Sequence, residues 1–211
     1  MKIYLIRHGQ SKANELNLFL GHGDLDLTNK GYEQAKLTAK YLSKFKIDKI
    51  YSSDLKRAYH TAEVCAKLFG LAVIRQKNLR ELDCGEWDQL TFEQIKEKYA
   101  ETFAVFISDM ANAYCDGGES VSELQKRIVF AIKEIANDNP DKTIAIFSHA
   151  AAIKAFAGYC LNNDLESVNT LAWPSNASVT EVNYIDGEFK MIEYSRDDFM
   201  GELLTFLPEK I

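Results

Sequence analysis

The length and composition of the chain are those of an ordinary globular protein. It has 211 residues, of which 46% are hydrophobic and 27% are charged, and it contains only three prolines. This composition excludes a largely disordered or fibrous chain. A chain of this size can bury most of the apolar surface that its unfolded form exposes, so we expect one domain spanning residues 1–211.

The net charge limits the partners that the surface can attract. The chain has 25 Lys and Arg residues against 31 Asp and Glu residues, a net charge of −6, which disfavours nucleic acid and anionic membranes as partners. Any bound anion therefore needs a local basic pocket. Residues 1–8 do not resemble a signal peptide, and the four cysteines lack the spacing of a zinc site. We expect a cytoplasmic protein with reduced thiols, and the sequence does not indicate its oligomeric state.

Two strand–helix units are predicted in the first third of the chain. Residues 3–6 form a short apolar run, and a helix with Thr28 as its N-cap is expected from residue 29 onward. A second strand is predicted at residues 47–51. It precedes a helix over residues 55–69, whose apolar side chains share one stripe.

The middle of the chain combines a loop with two helical regions. Residues 71–74 are predicted to form a strand, whereas residues 79–90 have no clear period and are predicted to form a functional loop. Helices are predicted over residues 91–112 and 120–136, and a capping-box pattern opens the second. We expect residues 91–118 to form a lid-like helical insertion.

The last third of the chain completes the predicted sheet. Residues 143–147 indicate a buried strand, and a helix is predicted to begin near His149. Residues 178–184 and 188–194 flank an Asp-Gly pair and predict a β-hairpin. Strands that alternate with helices favour an α/β fold, here a mainly parallel sheet with helices on both faces.

Polar clusters directly follow three of the predicted strands. Arg7 and His8 follow the first strand, two serines leading to Arg57 follow the second, and a serine with His149 follows the strand at residues 143–147. The carboxyl ends of parallel strands meet at one edge of a sheet, where ligands bind. The pattern therefore predicts a pocket with two histidines and two arginines.

These residue types suit the transfer of a phosphoryl group. Two guanidiniums can hold a phosphate by charge-assisted hydrogen bonds, and the helix near His149 is expected to direct free backbone N–H groups at the same anion. One histidine can act as a covalent nucleophile, and the other, if protonated, can stabilise the transition state. The leaving oxygen needs a proton donor, for which the loop offers Glu81 or Asp83.

Six motifs occur in order over nearly the whole chain. They are Arg7-His8-Gly9-Gln10-Ser11-x-x-Asn14, Leu27-Thr28-x-x-Gly31-x-x-Gln34-Ala35, Ser53-x-x-x-Arg57-Ala58-x-x-Thr61-Ala62, Leu79-x-Glu81-x-x-x-Gly85-x-Trp87, Gly118-Glu119-Ser120 and Ser148-His149. Together they resemble the histidine phosphatase superfamily, the phosphoglycerate-mutase-like proteins.

The resemblance implies a role for each residue of the predicted pocket. By this resemblance His8 is the phosphorylated nucleophile, and Arg7, Arg57 and His149 form the rest of the phosphate pocket. Glu81 is implied as the proton donor and later as the base for water. The resemblance implies neither a metal nor an organic cofactor.

Three further positions follow from the same comparison of motifs. Asn14 and the backbone at Ala150 are expected to contact the phosphate. Ala150 and Gln89 stand where the family usually has glycine. Alanine would be strained at a positive φ, so a helical conformation is expected at residue 150, and the path of the loop around Gln89 is left open.

The substrate is expected to carry one phosphate. The stretch from residue 82 to 117 contains no arginine, and its only basic residues are Lys96 and Lys98, whereas cofactor-dependent mutases of the family carry an arginine-bearing insertion there. Six apolar or aromatic residues of this stretch could form an apolar lid: Phe92, Tyr99, Phe103, Phe106, Met110 and Tyr114. We therefore favour a metal-independent phosphomonoester hydrolase, acting on a small phosphorylated substrate, over a phosphoglycerate mutase.

Two other hypotheses remain at this stage. A metallophosphoesterase could use His8, His149, Asp24 and Asp26 as ligands of divalent ions. A noncatalytic module could keep the phosphate pocket without turnover. The sequence does not identify the physiological substrate.

Overall fold

The computed structural model describes residues 1–205 and contains one six-stranded sheet. Its strands are β1 (Lys2–Arg7), β2 (Lys49–Ser52), β3 (Val73–Arg75), β4 (Thr143–Ser148), β5 (Val179–Ile185) and β6 (Glu188–Arg196). The order across the sheet is β3-β2-β4-β1-β5-β6. The first four strands in this order are parallel, and β5 and β6 form an antiparallel hairpin beside β1. The predicted mainly parallel sheet is confirmed.

The described residues also form seven α-helices. They are α1 (Lys12–Glu15), α2 (Asn29–Leu42), α3 (Lys56–Phe69), α4 (Phe92–Lys98), α5 (Ala100–Ser108), α6 (Val121–Asn137) and α7 (Ala150–Asn162). Thr28 caps α2, and the predicted capping box of Ser120 and Glu123 opens α6. The helical region predicted over residues 91–112 is divided, because Tyr99 leaves the helical conformation between α4 and α5.

The central strands bury both of their faces. In β1, Ile3 and Leu5 pack in a core with side chains of α6 and α7, whereas Tyr4 and Ile6 pack in a second core with side chains of α2 and α3. Successive side chains of a strand point to opposite faces, so one apolar run serves both cores. Burial of each such side chain contributes about 1.5–3 kcal/mol. The predicted helices on both faces are confirmed.

The antiparallel hairpin turns at the predicted Asp-Gly pair. Asp186 has a φ of 53° and Gly187 a φ of 85°. Two successive residues with positive φ are typical of the tight turn that matches the twist of paired strands. Among residues 1–205, no helix has the length and apolar character that crossing a membrane requires.

The parallel strands bring the predicted polar clusters to one edge of the sheet. Arg7 and Ser148 end β1 and β4 and lie opposite each other, and Ser52 ends β2 opposite Phe147. His8 directly follows β1 and opens a loop, whereas His149 directly follows β4 and is the N-cap of α7. The single domain and the lid function of residues 91–118 stay predictions, although α4 and α5 do lie in that range.

Candidate active site

A pocket opens at the carboxyl-end edge of the parallel strands. Its polar part includes Arg7, His8, Asn14, Arg57 and Glu81. Its apolar wall includes Leu18, Phe19, Phe92, Phe106 and Trp173. The arrangement is that of a small-molecule site, in which a few polar groups are fixed at the base of an apolar opening.

His8 is held in the orientation and protonation state of a nucleophile. Its backbone N–H donates to the carbonyl of Ser148 at 3.0 Å, and its Nδ1 lies 2.7 Å from the carbonyl of Gly9. A carbonyl can only accept, so Nδ1 carries the proton and Nε2 keeps its lone pair. Burial, followed by the charges of Arg57 and Arg7, lowers the pKa of His8 well below its usual range. The ring is therefore neutral at pH 7.

The loop that carries His8 is packed tightly against its neighbours. The N–H of Gly9 donates to Thr61 Oγ1 at 3.1 Å, and this hydroxyl donates to the carbonyl of Arg57 at 2.7 Å. A Cβ on Gly9 would lie 2.4 Å from the carbonyl oxygen of Gly31. The close approach of Gly9 to the backbone of α2 requires glycine. Together with the bond to Thr61, it fixes the position of His8 relative to α2 and α3.

Two buried arginines lie beside His8 without a carboxylate partner. Arg7 and Arg57 are each 1% exposed. Arg7 Nη1 donates to the carbonyl of Pro174 at 2.6 Å, and Arg57 donates to the carbonyls of Gly23 and Gly21, both at 2.8 Å. Neither guanidinium has a carboxylate oxygen within 4.0 Å in the described part of the chain. Burial lowers the pKa of Arg7 to about 10 and also lowers that of Arg57. Both stay charged, so the pocket has an excess of positive charge.

His149 lies beside His8 but is fully buried and is not among the residues that line the pocket. The two ring centroids are 5.3 Å apart. Both ring nitrogens of His149 are buried and have no hydrogen-bond partner within residues 1–205. Burial, then the charges of Arg57 and of a protonated His8, lowers its pKa well below the usual range. A buried polar group without a partner is costly, and a phosphoryl oxygen could supply that partner.

Glu81 occupies part of the helix terminus that was expected to bind the anion. Its Oε2 accepts from the N–H of Ala151 at 3.1 Å, and its Oε1 accepts from those of Ala152 and Leu82 at 3.1 and 2.9 Å. The expectation of several free N–H groups at the start of α7 was therefore wrong, because the Glu81 side chain accepts from two of them. Ala150 is helical, as predicted, and its N–H is not among those that Glu81 accepts from.

The structure distinguishes the two candidate proton donors. Glu81 is 8% exposed and lines the pocket. Asp83 instead lines a neighbouring cleft, where it accepts from the N–H of Gly85 at 3.1 Å and lies 3.6 Å from His22 Nδ1. The two carboxyls therefore lie in different surroundings. Only Glu81 is close to the phosphate pocket.

Asn14 reaches the pocket from the short helix α1, which the sequence analysis did not predict. Its Oδ1 accepts from the N–H of Ser11 at 3.0 Å and from Asn176 Nδ2 at 3.2 Å. These bonds occupy the acceptor and leave the amide N–H groups of Asn14 as the donors available to an anion. Asn176 also donates to the carbonyl of His8 at 3.2 Å.

The apolar wall differs from the predicted lid. Phe92 and Phe106 line the pocket, whereas Phe103 and Met110 are buried in the core, Tyr99 donates to Glu86, and Tyr114 is exposed. Phe19 and Trp173, from distant parts of the chain, complete the wall. The ring of Phe19 packs edge-on against Trp87, Phe92 and Phe106. Lys96 and Lys98 are exposed and lie outside the pocket.

The loop after Trp87 contains the other position where glycine was expected. Gln89 has a φ of 66°, in the left-handed region that glycine favours, and its N–H donates to the carbonyl of Phe19 at 2.8 Å. The chain therefore follows the path that a glycine would take. This hydrogen bond links the loop to Phe19 in the pocket wall.

The ligands proposed for a metal centre do not come together. Among residues 1–205, no three His, Cys, Asp or Glu side chains are grouped as a metal site requires. Asp26 instead lies 2.6 Å from His60, and Asp24 accepts from the backbone N–H of Lys56 at 2.6 Å. The set of His8, His149, Asp24 and Asp26 therefore gains no support.

A further contributor that the sequence did not reveal lies next to Glu81. Arg127, on α6, donates to the carbonyl of Glu81 at 3.0 Å and forms an ion pair with Glu119. The Gly118-Glu119-Ser120 motif was the only signal of this pair in the sequence. Arg127 and Glu81 are 46 residues apart in the chain, too far for any periodic pattern to connect them.

Comparison of the sequence with known proteins gives one consistent result. The model of the family described as "Histidine phosphatase superfamily (branch 1)" matches residues 3–197. Phosphoserine phosphatase 1 of Hydrogenobacter thermophilus is 34% identical over 160 residues, which cover 76% of this chain and 75% of the relative.

Solved structures share the whole fold. The structure of Bacillus stearothermophilus YhfR superposes with a TM-score of 0.90 at 25% sequence identity. The superposition covers 94% of this chain and 98% of the YhfR chain. A mycobacterial glucosyl-3-phosphoglycerate phosphatase in complex with VO3 has a TM-score of 0.84 at 27% identity, with 93% and 99% of the two chains covered.

Proposed function

Since the chain belongs to the histidine phosphatase superfamily and is one of its phosphatases, we propose that it hydrolyses small phosphomonoesters through a phosphohistidine formed on His8. One observation carries this proposal. A neutral, buried imidazole with a free Nε2 lies beside Arg7 and Arg57, which have no carboxylate partner in the described residues. This combination provides a nucleophile together with a binding site for the oxygens around phosphorus.

In this proposal five groups hold the transferred phosphoryl. They are the guanidiniums of Arg7 and Arg57, the amide of Asn14, the ring of His149 and the backbone N–H of Ala150. The buried guanidiniums gain an anionic partner when the substrate binds, and the negative charge of the oxygens is dispersed over fixed donors. The site needs no metal ion for this step.

His8 and Glu81 carry out the two chemical steps. Nε2 of His8 attacks phosphorus, the ester P–O bond breaks, and the leaving oxygen takes a proton from the carboxylic acid of Glu81. The resulting carboxylate then takes a proton from water, and the oxygen of that water attacks phosphorus. The P–N bond breaks, inorganic phosphate leaves, and His8 and Glu81 return to their initial states.

The pocket wall supports hydrolysis rather than mutase chemistry. A mutase must bind a substrate with a second anionic group, but the wall around the polar floor consists of Leu18, Phe19, Phe92, Phe106 and Trp173. Lys96 and Lys98 face solvent. The relatives named as phosphatases also act on small phosphorylated molecules, as their names state.

The proposal is tested by trapping the intermediate. The protein is mixed with p-nitrophenyl phosphate in EDTA, quenched in base and analysed for acid-labile phosphate on protein. We expect a phosphoenzyme and turnover in the parent and neither in His8→Ala. A phosphoenzyme that persists in His8→Ala would contradict the role of His8. Mutase turnover of 3-phosphoglycerate primed by 2,3-bisphosphoglycerate, with negligible hydrolysis, would contradict the reaction itself.

A cytoplasmic location completes the proposal. All four cysteines are free thiols, and Cys65, Cys84 and Cys115 are buried. Burial raises the pKa of Cys160 to about 12. Unpaired thiols of this kind agree with a reducing compartment.

A further inference from the structure

We propose that Arg127 and Glu119 position Glu81 for its proton transfers, a role that rests on the proposed function of Glu81. A proton donor must lie within hydrogen-bond reach of the leaving oxygen. Glu81, however, lies in a segment that belongs to neither a helix nor a strand. Contacts from outside the segment must therefore hold its backbone.

Arg127 supplies most of these contacts on one side. Its Nη1 donates to the carbonyls of Asn78 and Arg80, and its Nη2 to the carbonyl of Glu81, all at 3.0 Å. The rigid fork of one guanidinium thus binds three carbonyls around the proposed proton donor. A lysine would keep the charge but could not reproduce this geometry.

Glu119 holds the arginine and the other side of the segment. Its two carboxylate oxygens accept from Arg127 Nε and Nη2 at 2.9 and 2.7 Å. The same carboxylate accepts from the N–H of Asp83 at 3.2 Å, and the N–H of Glu119 donates to the carbonyl of Asp83 at 2.9 Å. Residues before and after Glu81 are therefore bound to one ion pair.

The pair does more than anchor α6. That helix already has a capping box at Ser120 and a buried apolar face that includes Leu124 and Ile128. A bond between Arg127 and Glu119 alone would be enough to fix the helix end. The additional bonds from Arg127 all run to the segment that carries Glu81. The Glu81 side chain in turn accepts from the N–H of Ala151 at the start of α7.

The test compares two substrates that differ in their need for a proton donor. p-Nitrophenolate leaves without protonation, whereas the alkoxide of glycerol phosphate does not. For Arg127→Lys we expect kcat/KM to fall by about 10- to 100-fold on glycerol phosphate, since displaced catalytic groups cost factors of this size. On p-nitrophenyl phosphate the loss should stay within about three-fold. Glu119→Gln should show the same selective loss and serves as a second variant if Arg127→Lys fails to fold.

Arg80→Lys is the matched control. The side chain of Arg80, the residue before Glu81, forms a bidentate ion pair with Asp54 at 2.7 Å and has no hydrogen bond to the backbone of Glu81. Arg80→Lys should change kcat/KM by the same factor on both substrates. An equal loss on both substrates in Arg127→Lys and Glu119→Gln would overturn the positioning role.

Glu81→Gln separates this inference from the proposed function. If Glu81 is the proton donor, Glu81→Gln should lower kcat/KM on glycerol phosphate much more than on p-nitrophenyl phosphate. The double variant with Arg127→Lys should then show no larger difference between the two substrates than Glu81→Gln alone. If Glu81→Gln shows no selective loss, the proposed role of Glu81 fails. A selective loss in Glu81→Gln without one in either Arg127→Lys or Glu119→Gln refutes the positioning role alone.

Discussion

His8 and His149 are both neutral for the same physical reason. We therefore predict that neither ring takes up a proton near pH 6. Burial and nearby arginines lower the pKa of both His8 and His149 well below the usual range. In NMR titrations, we expect two ring signals to keep their neutral shifts at pH 6 and to be lost in His8→Ala and His149→Ala, respectively. Between the unfolded pKa of about 6.5 and the lower folded pKa the unfolded state binds more protons, so these groups make the protein less stable as pH falls.

The same titration should be repeated with inorganic phosphate bound. The anion neutralises part of the charge of Arg7 and Arg57 and offers an acceptor to the unpartnered ring of His149. We therefore expect phosphate to raise the pKa of His149. A pKa near 6.5 for either ring without phosphate, or no change on its addition, would contradict the arrangement of the floor.

Among single residues, the sequence predicted those of the polar floor but not the side chains that hold the neighbouring loop. Arg7, His8 and Arg57 follow strand ends, and parallel strands bring such ends together. Their catalytic roles stay predictions. The bond from Arg127 to Glu81 was not predictable. It joins a side chain of α6 to the backbone of a distant loop, and their relative position depends on the packing of the whole core.

The helices α4 and α5 form one wall of the pocket. We predict that this wall selects the leaving group of the substrate. Phe92, at the start of α4, is half-buried and lines the pocket. Phe92→Ala should raise the KM for 1-naphthyl phosphate several-fold, because the aryl group loses an apolar contact. The KM for glycerol phosphate should change little. Steady-state kinetics on both substrates provide the measurement.

Lys96→Ala is the control for this helix. Lys96 is exposed on the same short helix, so its replacement tests for a general disturbance of α4. Neither KM should change. Phe106 is less suitable for this test, since it is 3% exposed and truncation of a buried phenylalanine costs about 3–5 kcal/mol. Equal effects of Phe92→Ala on both substrates would show that the wall does not select the leaving group.

Long helices were predictable, whereas the shortest helix was not. The helices α2, α3 and α6 each run through several turns, so their apolar side chains repeat often enough to define a face. Helix α1 has four residues, too few to show a period. The break at Tyr99 was missed because the apolar pattern continues through it.

At the scale of the whole molecule, the sequence predicted the layers but not the strand order. Strands of alternating βα units imply a parallel sheet covered on both faces. The central place of β4 between β2 and β1, although it comes more than 90 residues after β2, depends on contacts between distant segments. That order nevertheless decides function, because it places His8 next to His149.

The charge distribution of the whole molecule predicts that an anion stabilises the fold. The net charge is −6, yet Arg7 and Arg57 are buried without a carboxylate partner in residues 1–205. Orthovanadate at 100 times its Kd should therefore add about 2.7 kcal/mol to the free energy of unfolding. This raises Tm by about 5–10 °C, measured by calorimetry.

Three comparisons make the thermal measurement specific. Sodium chloride at the same ionic strength should leave Tm unchanged, because screening of surface charges does not supply a partner for buried guanidiniums. Protein treated with EDTA, which is removed before vanadate is added, should show the same shift if the anion is held by protein groups alone. Arg57→Gln should lose most of it, since one of the two buried cations is gone. A full shift in Arg57→Gln would mean that vanadate binds elsewhere, and the unpaired arginines would then not be the anion site of the fold.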